Sequence, residues 1–291
     1  MICNACPRKC GIDRDKAVGA CKMTSTVKVA KIMVHHWEEP PISGKNGSGA
    51  IFFSGCSLGC VYCQNKDISH TGYGKEMTIY ELANAMLDLQ AQGVHNINLV
   101  TPTHFASQIR EAIDLIRSKL HIPIVYNTSG YELDTEIRKM SGYVDVFLTD
   151  IKYFSPELSK KYSNAPSYFE NAISSFKEML SIAPKCVFDK DGILKGGVIL
   201  RHLVLPTMRK DSLKILDTVA NLYGTSDFML SLMCQYTPEF CNDDFKEIKR
   251  KITTFEYQSV LEHAAELGFD GYMQDISSAN TIYTPNFKEQ L

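Results

Sequence analysis

The sequence predicts an α/β chain, a partial (β/α)6 TIM-type barrel with a small Cys-rich segment at its N-terminus. Three observations carry that expectation. From residue 50 onward, six short apolar runs alternate with amphipathic stretches of helical period. A length of 291 residues, with 44% hydrophobic and 22% charged content, supports one sizeable core without disulfide staples. The first apolar run leads straight into a three-cysteine loop, at the strand end where barrels of this type gather their functional groups. Residues 1–45 are expected to form a metal-binding segment, residues 46–245 the barrel core and residues 246–291 a C-terminal helical extension.

In chain order, residues 27–34 read as a short strand. His35, His36, Trp37, Glu38 and Glu39 follow, and are expected as a solvated, ion-paired loop in preference to a substrate-facing one. Pro40 and Pro41, with Gly44, Gly47 and Gly49, mark a linker into the core. Residues 50–53 are the first buried strand. Thr78 with Glu81 is a capping box, after which Ile79, Leu82, Ala83, Met86 and Leu89 share one helical face, and Gly93 ends the helix. Residues 97–100 form the second strand, and Ile109, Ala112, Ile113, Ile116 and Leu120 the next helical stripe. The third strand covers residues 122–126. A short helix near residues 135–140 precedes the fourth strand, residues 144–148. Phe169, Ile173, Phe176 and Leu180 mark another helix. Residues 187–194 contain Asp191-Gly192, a hairpin signal. Residues 198–205 and 228–233 are the fifth and sixth strands, separated by a helix carrying Leu213, Leu216, Val219 and Ala220. Thr253 and Glu256 form a second capping box, and open a helix with Val260, Leu261, Ala264 and Leu267 inward. Six strands separated by helices imply a parallel sheet with right-handed crossovers. Eight would close a barrel, and six leave it open on one side.

Composition narrows the function classes. The net charge of −2 and the lack of basic stretches interleaved with aromatics argue against nucleic acid as a partner. No apolar run approaches the roughly 18 residues of a membrane span. The first ten residues lack the apolar core of a secretory signal. Ten cysteines in such a chain point to metal or redox use in a reducing cytoplasm.

The chemistry centres on Cys56-Ser57-Leu58-Gly59-Cys60-Val61-Tyr62-Cys63. Gly55 and Gly59 let the backbone curl so that three sulfurs converge. Thiolates at this spacing can hold three corners of a [4Fe-4S] cluster and leave the fourth iron open. A zinc site or three buried thiols are the alternatives, and no fourth Cys or His follows at short spacing. Cys3, Cys6, Cys10 and Cys21 form a second set, suited to zinc or a second iron–sulfur cluster, or left as reduced thiols. Cys234 and Cys241 are expected as inert buried thiols.

The cysteine loop resembles the radical S-adenosylmethionine superfamily. Gln64-Asn65 after it, the strand before it, and the stretches 36–44, 98–104, 126–131 and 201–206 resemble the pyruvate formate-lyase activating enzyme-like proteins of that group. The resemblance implies a partial (β/α)6 barrel in which Cys56, Cys60 and Cys63 hold the cluster. The amino and carboxylate groups of S-adenosylmethionine would chelate the open iron. Reductive cleavage then gives methionine and a 5′-deoxyadenosyl radical, which abstracts a hydrogen atom. It further implies Tyr62 near the adenine, and Asn127, Ser129 and Gln235 facing the cofactor. Lys152 is implied at the methionine carboxylate, with Asp150 beside it, and Arg201 near the ribose. Arg201 and His202 are neighbours on one strand, so only one can point inward. Relatives often carry a Gly-Gly-Glu-type stretch for the methionine amine. This chain has Thr101-Pro102-Thr103-His104 there, which leaves backbone carbonyls, Thr101 and the Thr103 hydroxyl for that role. Asn127 replaces one of two acids that hold a monovalent cation in relatives.

The partners implied are a glycyl-radical enzyme or a small-molecule substrate, with reduced flavodoxin or ferredoxin as electron donor. A function from another class is a non-catalytic iron–sulfur or zinc protein for electron transfer or partner recruitment. The open coordination position and the polar strand ends argue against it.

Overall fold

The computed structural model describes residues 2–275, 285 and 287. Its strands are β1 (Val27–His35), β2 (Ser48–Phe53), β3 (Lys75–Met77), β4 (Ile97–Val100), β5 (Ile124–Thr128), β6 (Val146–Asp150), β7 (Val187–Phe188), β8 (Leu194–Leu203), β9 (Met229–Met233) and β10 (Gly271–Met273). Its helices are α1 (Pro40–Ser43), α2 (Lys66–Ser69), α3 (Ile79–Ala91), α4 (Ala106–Ile116), α5 (Asp134–Arg138), α6 (Pro156–Ser163), α7 (Tyr168–Ile182), α8 (Arg209–Tyr223) and α9 (Thr254–Glu266). The main sheet runs β10-β9-β8-β6-β5-β4-β2-β1-β3. All pairings from β2 to β10 along this path are parallel. β1 pairs antiparallel with β2, and β3 with β1. Its outermost strands, β3 and β10, do not pair with each other, so the barrel is partial.

The six expected core strands are all present, and β10 adds a parallel partner to β9. β10 escapes sequence reading because it is three residues long and opens on a glycine with φ 152°. The third and fourth strands run two residues further than expected, so Asn127 and Asp150 are strand residues. The Asp191-Gly192 turn joins β7 to β8, with Gly192 at φ 78°. Both capping boxes form. Thr78 Oγ1 accepts from the Glu81 N–H at 3.2 Å, and Glu81 Oε2 from the Thr78 N–H at 2.8 Å. Thr253 and Glu256 repeat the motif at the start of α9. Each box satisfies two otherwise orphaned N–H groups, which fixes where the helix begins.

Period-two alternation sorts the parallel strands. Tyr126, Phe147, Leu200 and Leu230 belong to the large core shared with the helices. Val125, Val146, Leu148 and Ile199 face the barrel interior and pack with Ile42. Ile42 is fully buried in α1, so the stretch expected as a plain linker is a plug for the barrel floor. Residues 2–26 carry no helix and only the isolated Ile2–Asp13 bridge. They are fastened to the barrel by Arg8 and Arg14 and by the Cys21 carbonyl, which accepts from the Cys56 N–H at 3.3 Å.

Candidate active site

The cysteine loop leaves β2 through Gly55 and turns at Gly59, with φ of 80° and 66°. A Cβ at Gly55 would stand 2.5 Å from the Cys21 carbonyl oxygen, so glycine is what admits the N-terminal segment here. Cys56, Cys60 and Cys63 line one cavity of about 220 Å³. Each sulfur meets a donor. The Leu58 N–H points at Cys56 Sγ (3.4 Å), the Ser163 hydroxyl at Cys60 Sγ (3.0 Å) and the Ser69 hydroxyl at Cys63 Sγ (3.5 Å). Burial pushes the Cys60 thiol up to about 12, against the pull of Lys152, and raises Cys63 as well. Among the described residues, no group of three or more His, Cys, Asp and Glu closes on a single ion. The thiolates of an iron–sulfur cubane each bind a different iron, so their sulfurs need no single common centre. The donor set therefore fits a cubane: three soft ligands on one wall, each with a hydrogen bond, opposite polar strand ends.

Those strand ends form a connected network at the inner face of the barrel. Arg201 Nε donates to Asp150 Oδ1 at 2.8 Å, Nη2 to Asn127 Oδ1 at 2.7 Å and Nη1 to Glu38 Oε2 at 3.3 Å. Glu38 Oε1 accepts from Asn98 Nδ2 and Asn127 Nδ2, both at 3.1 Å. Lys152 Nζ donates to Asp150 Oδ2 at 2.5 Å. Burial would raise Asp150, but Arg201 and Lys152 more than offset it and hold its carboxyl below the usual range. Burial would lower Lys152, and Asp150 and Cys60 hold it above its ordinary value instead. Burial raises Glu38 and Glu39 despite Arg201. The expected solvated loop is thus corrected at its two glutamates, while His36 and Trp37 are exposed. Glu39 is buried and the Glu38 side chain is only 11% exposed, and Arg201, 163 residues from Glu38, supplies the compensating charge. The second carboxylate beside Asp150 comes from Glu38, not from position 127.

The two neighbours on β8 separate as alternation requires. Arg201 lines the cavity. His202 faces the helices, with Nδ1 on the Ile151 carbonyl (2.7 Å) and Nε2 on the Ser212 hydroxyl (2.9 Å), and burial lowers it to about 4. Thr101, Asn127, Ser129, Asp150, Lys152, Gln235 and Tyr62 also line the cavity. Thr101 has φ 62°, a left-handed conformation that a β-branched residue adopts only under strain. Thr103 is corrected. It lies in the 3-10 turn after β4, outside the cavity lining, and its hydroxyl donates to buried Glu132 at 2.5 Å. Beside it, His104 Nε2 meets the Ser54 carbonyl at 2.7 Å, and burial lowers the ring to about 4, as for a packing residue.

Tyr62 packs edge-on against Tyr162 and Tyr236, with ring centroids 6.5 and 5.8 Å away. Its hydroxyl lies 2.6 Å from that of Tyr153. Sequence reading also missed Asn98, Ser69, Ser163 and Tyr153. The available signals were for Glu38 and Asn98, which lie inside the stretches 36–44 and 98–104 that carry the family resemblance.

The second cysteine set is gathered within residues 2–26. A Cβ at Gly19 would lie 3.4 Å from Cys21 Sγ and 3.5 Å from Cys10 Sγ. Burial pushes Cys6 up to about 12, and Cys3 and Cys21 lie close enough to add to the rise. Backbone N–H groups and Cys3 lower Cys10 against the effect of burial. Cys234 and Cys241 are buried, with their sulfurs directed at backbone carbonyls.

Residues 50–188 match the family model described as Radical SAM superfamily. An uncharacterized protein of Methanocaldococcus jannaschii is 27% identical over 278 residues, which cover 92% of this chain and 75% of that protein. A radical SAM methyltransferase from Sphaerobacter thermophilus superposes with a TM-score of 0.54 at 11% identity, covering 79% of this chain and 68% of that one. SuiB of Streptococcus suis, in its structure bound to S-adenosylmethionine, gives a TM-score of 0.50 at 10% identity over 76% of this chain. This chain spans 48% of the length of SuiB. These structural likenesses establish a shared fold.

Proposed function

We infer, from the match to the radical SAM family model over residues 50–188 and the thiol wall at its first strand end, that the chain cleaves S-adenosylmethionine reductively. Cys56, Cys60 and Cys63 hold a [4Fe-4S] cluster in this reading. The carrying observation is that one cavity has those three sulfurs on one side and Asn127, Asp150, Lys152 and Arg201 on the other. When bound, the cluster and S-adenosylmethionine supply an electron to the sulfonium and a carbon radical that removes a hydrogen atom from a substrate.

The protein's part is binding and exclusion of water. Lys152 keeps donors to spare beyond its bond to Asp150, and these suit the methionine carboxylate. The Thr101 hydroxyl and neighbouring carbonyls suit the ammonium. Tyr62 and Gln235 are assigned to the adenosine end, and Ser129 to the wall between. Arg201 is committed to three side chains, so its role is to hold Asp150, Asn127 and Glu38 in place around the cofactor. A low-potential flavodoxin or ferredoxin is the proposed electron donor. SuiB, a protein of this fold bound to S-adenosylmethionine, supports the cofactor assignment.

The test is anaerobic reconstitution, reduction and incubation with S-adenosylmethionine. Formation of 5′-deoxyadenosine supports the reading, and a bound cluster with no cleavage overturns it. The same reduced enzyme, incubated with anaerobic lysate fractions, assigns the substrate class. A glycyl doublet in a partner protein assigns an activase. Turnover that follows the low-molecular-weight fraction assigns a small-molecule enzyme.

A further inference from the structure

Cys60 is the ligand at the end of a line of hydroxyls. Ser163 Oγ lies 3.0 Å from Cys60 Sγ, Tyr153 OH lies 2.8 Å from Ser163 Oγ, and Tyr62 OH lies 2.6 Å from Tyr153 OH. All four residues are buried. A metal-bound thiolate can only accept a hydrogen bond, so Ser163 must donate to it. With that proton committed, Tyr153 must donate to Ser163, and Tyr62 to Tyr153. Cys60 thus fixes the direction of the whole line. Hydroxyls that donate in series polarise one another, which strengthens the last bond in a water-poor interior. The contacts at Cys56 and Cys63 are longer, at 3.4 and 3.5 Å.

We propose that the Tyr62–Tyr153–Ser163 line is a tuning device that draws electron density from the Cys60 sulfur and so raises the reduction potential of the cluster. Hydrogen bonds to cluster sulfurs are among the protein's levers on that potential. The device rests on the cluster assignment above. It also gives Tyr62 a task that ring packing alone does not explain, because Tyr62 sits between two ligands in sequence while its hydroxyl acts back on one of them through two other elements. Tyr153 lies after β6, and Ser163 ends α6. The line therefore ties the cluster to the segment that carries Lys152.

The experiment is a potentiometric titration of the reconstituted full chain, with the one-electron-reduced cluster followed by electron paramagnetic resonance in the absence of S-adenosylmethionine. Ser163→Ala is expected to lower the midpoint so that the reduced-to-oxidised ratio at a fixed poise falls about tenfold, ~59 mV for a one-electron couple. Tyr62→Phe removes only the far end of the line, and is expected to shift the midpoint the same way by less. Ser163→Thr keeps the hydroxyl and is expected to restore the wild-type value. Tyr162→Phe loses a hydroxyl bonded to Glu247, outside the line, and is expected to leave the midpoint unchanged. A wild-type midpoint in both Ser163→Ala and Tyr62→Phe overturns the proposal while the cluster assignment stands. A wild-type chain that holds no [4Fe-4S] cluster overturns both.

Discussion

Removing the guanidinium from the polar strand ends tests how this site is held together. Arg201→Met leaves Asp150 paired with Lys152 and takes from Glu38 and Glu39 the cation that offsets their burial. In the folded protein Arg201 meets Asp150 at 2.8 Å and Glu38 at 3.3 Å, and its side chain is 14% exposed against 9% and 11% for theirs. At an effective dielectric constant near 20, one such pair is worth about 4 kcal/mol before desolvation. Breaking a buried pair by deleting one partner costs about 3–5 kcal/mol, because the other charge is left uncompensated. We expect Arg201→Met to lose that much unfolding free energy at neutral pH. Arg201→Lys should lose less, since it restores the charge but cannot reach three partners in one plane.

The pH dependence has a definite sign. Burial already holds Glu38 and Glu39 above the usual carboxylate range. Without Arg201 they rise further, so the folded variant binds more protons than the unfolded chain. Its stability must then fall as pH rises through the ordinary glutamate value toward the raised folded values. The penalty relative to wild type should be smaller near pH 5 than near pH 8. Urea unfolding of both proteins at the two pH values, followed by far-ultraviolet circular dichroism, measures it. A loss below about 1 kcal/mol, or one that ignores pH, would refute the claim that Arg201 neutralises these carboxylates.

Three further outcomes are expected. Cys56→Ala, Cys60→Ala and Cys63→Ala should each abolish 5′-deoxyadenosine formation, and near-wild-type yield from any of them would sink the cluster assignment. Thr101→Gly should raise stability by about 1 kcal/mol by relieving a left-handed β-branched residue; a loss in thermal or urea unfolding would show that the position is not strained. The double variant Cys3→Ala with Cys6→Ala should lose one bound metal centre while retaining the barrel cluster, and unchanged iron and zinc in elemental analysis would rule out an N-terminal metal.

Much of the fold was legible because its signals are local. Capping boxes at Thr78 and Thr253, the turn at Asp191-Gly192 and the apolar runs need only a few neighbouring residues to be read. β10 was not legible, since Gly271, Tyr272 and Met273 form no apolar run and are held as a strand by pairing with β9. In the site, the cysteine spacing and the polar strand ends stood out in sequence. Glu38 did not, because a carboxylate in a polar stretch reads as solvated unless its distant partners Asn98, Asn127 and Arg201 are known. Thr101 and Thr103 looked interchangeable, yet the 3-10 turn between β4 and α4 sends Thr103 to Glu132 and leaves Thr101 in the cavity.

The cysteine loop illustrates why local pattern stops short of a site. It has no regular structure, so its shape must come from what presses on it. From below it is anchored by β2. From the barrel side, the Val61 N–H donates to the Tyr162 carbonyl at 2.9 Å, and Ser163 reaches Cys60. From outside, Arg8 donates to the carbonyls of Ser57 (2.7 Å), Leu58 (3.2 Å), Ser163 (2.9 Å) and Asn164. One guanidinium from the N-terminal segment therefore clamps the loop to the end of α6, and the Cys21 carbonyl holds the Cys56 N–H beside it. Arg8 stands between Cys6 and Cys10 in sequence. Whatever orders those cysteines also orders the clamp, which makes the N-terminal segment a structural part of the thiol wall and explains why Gly55 must leave room for it.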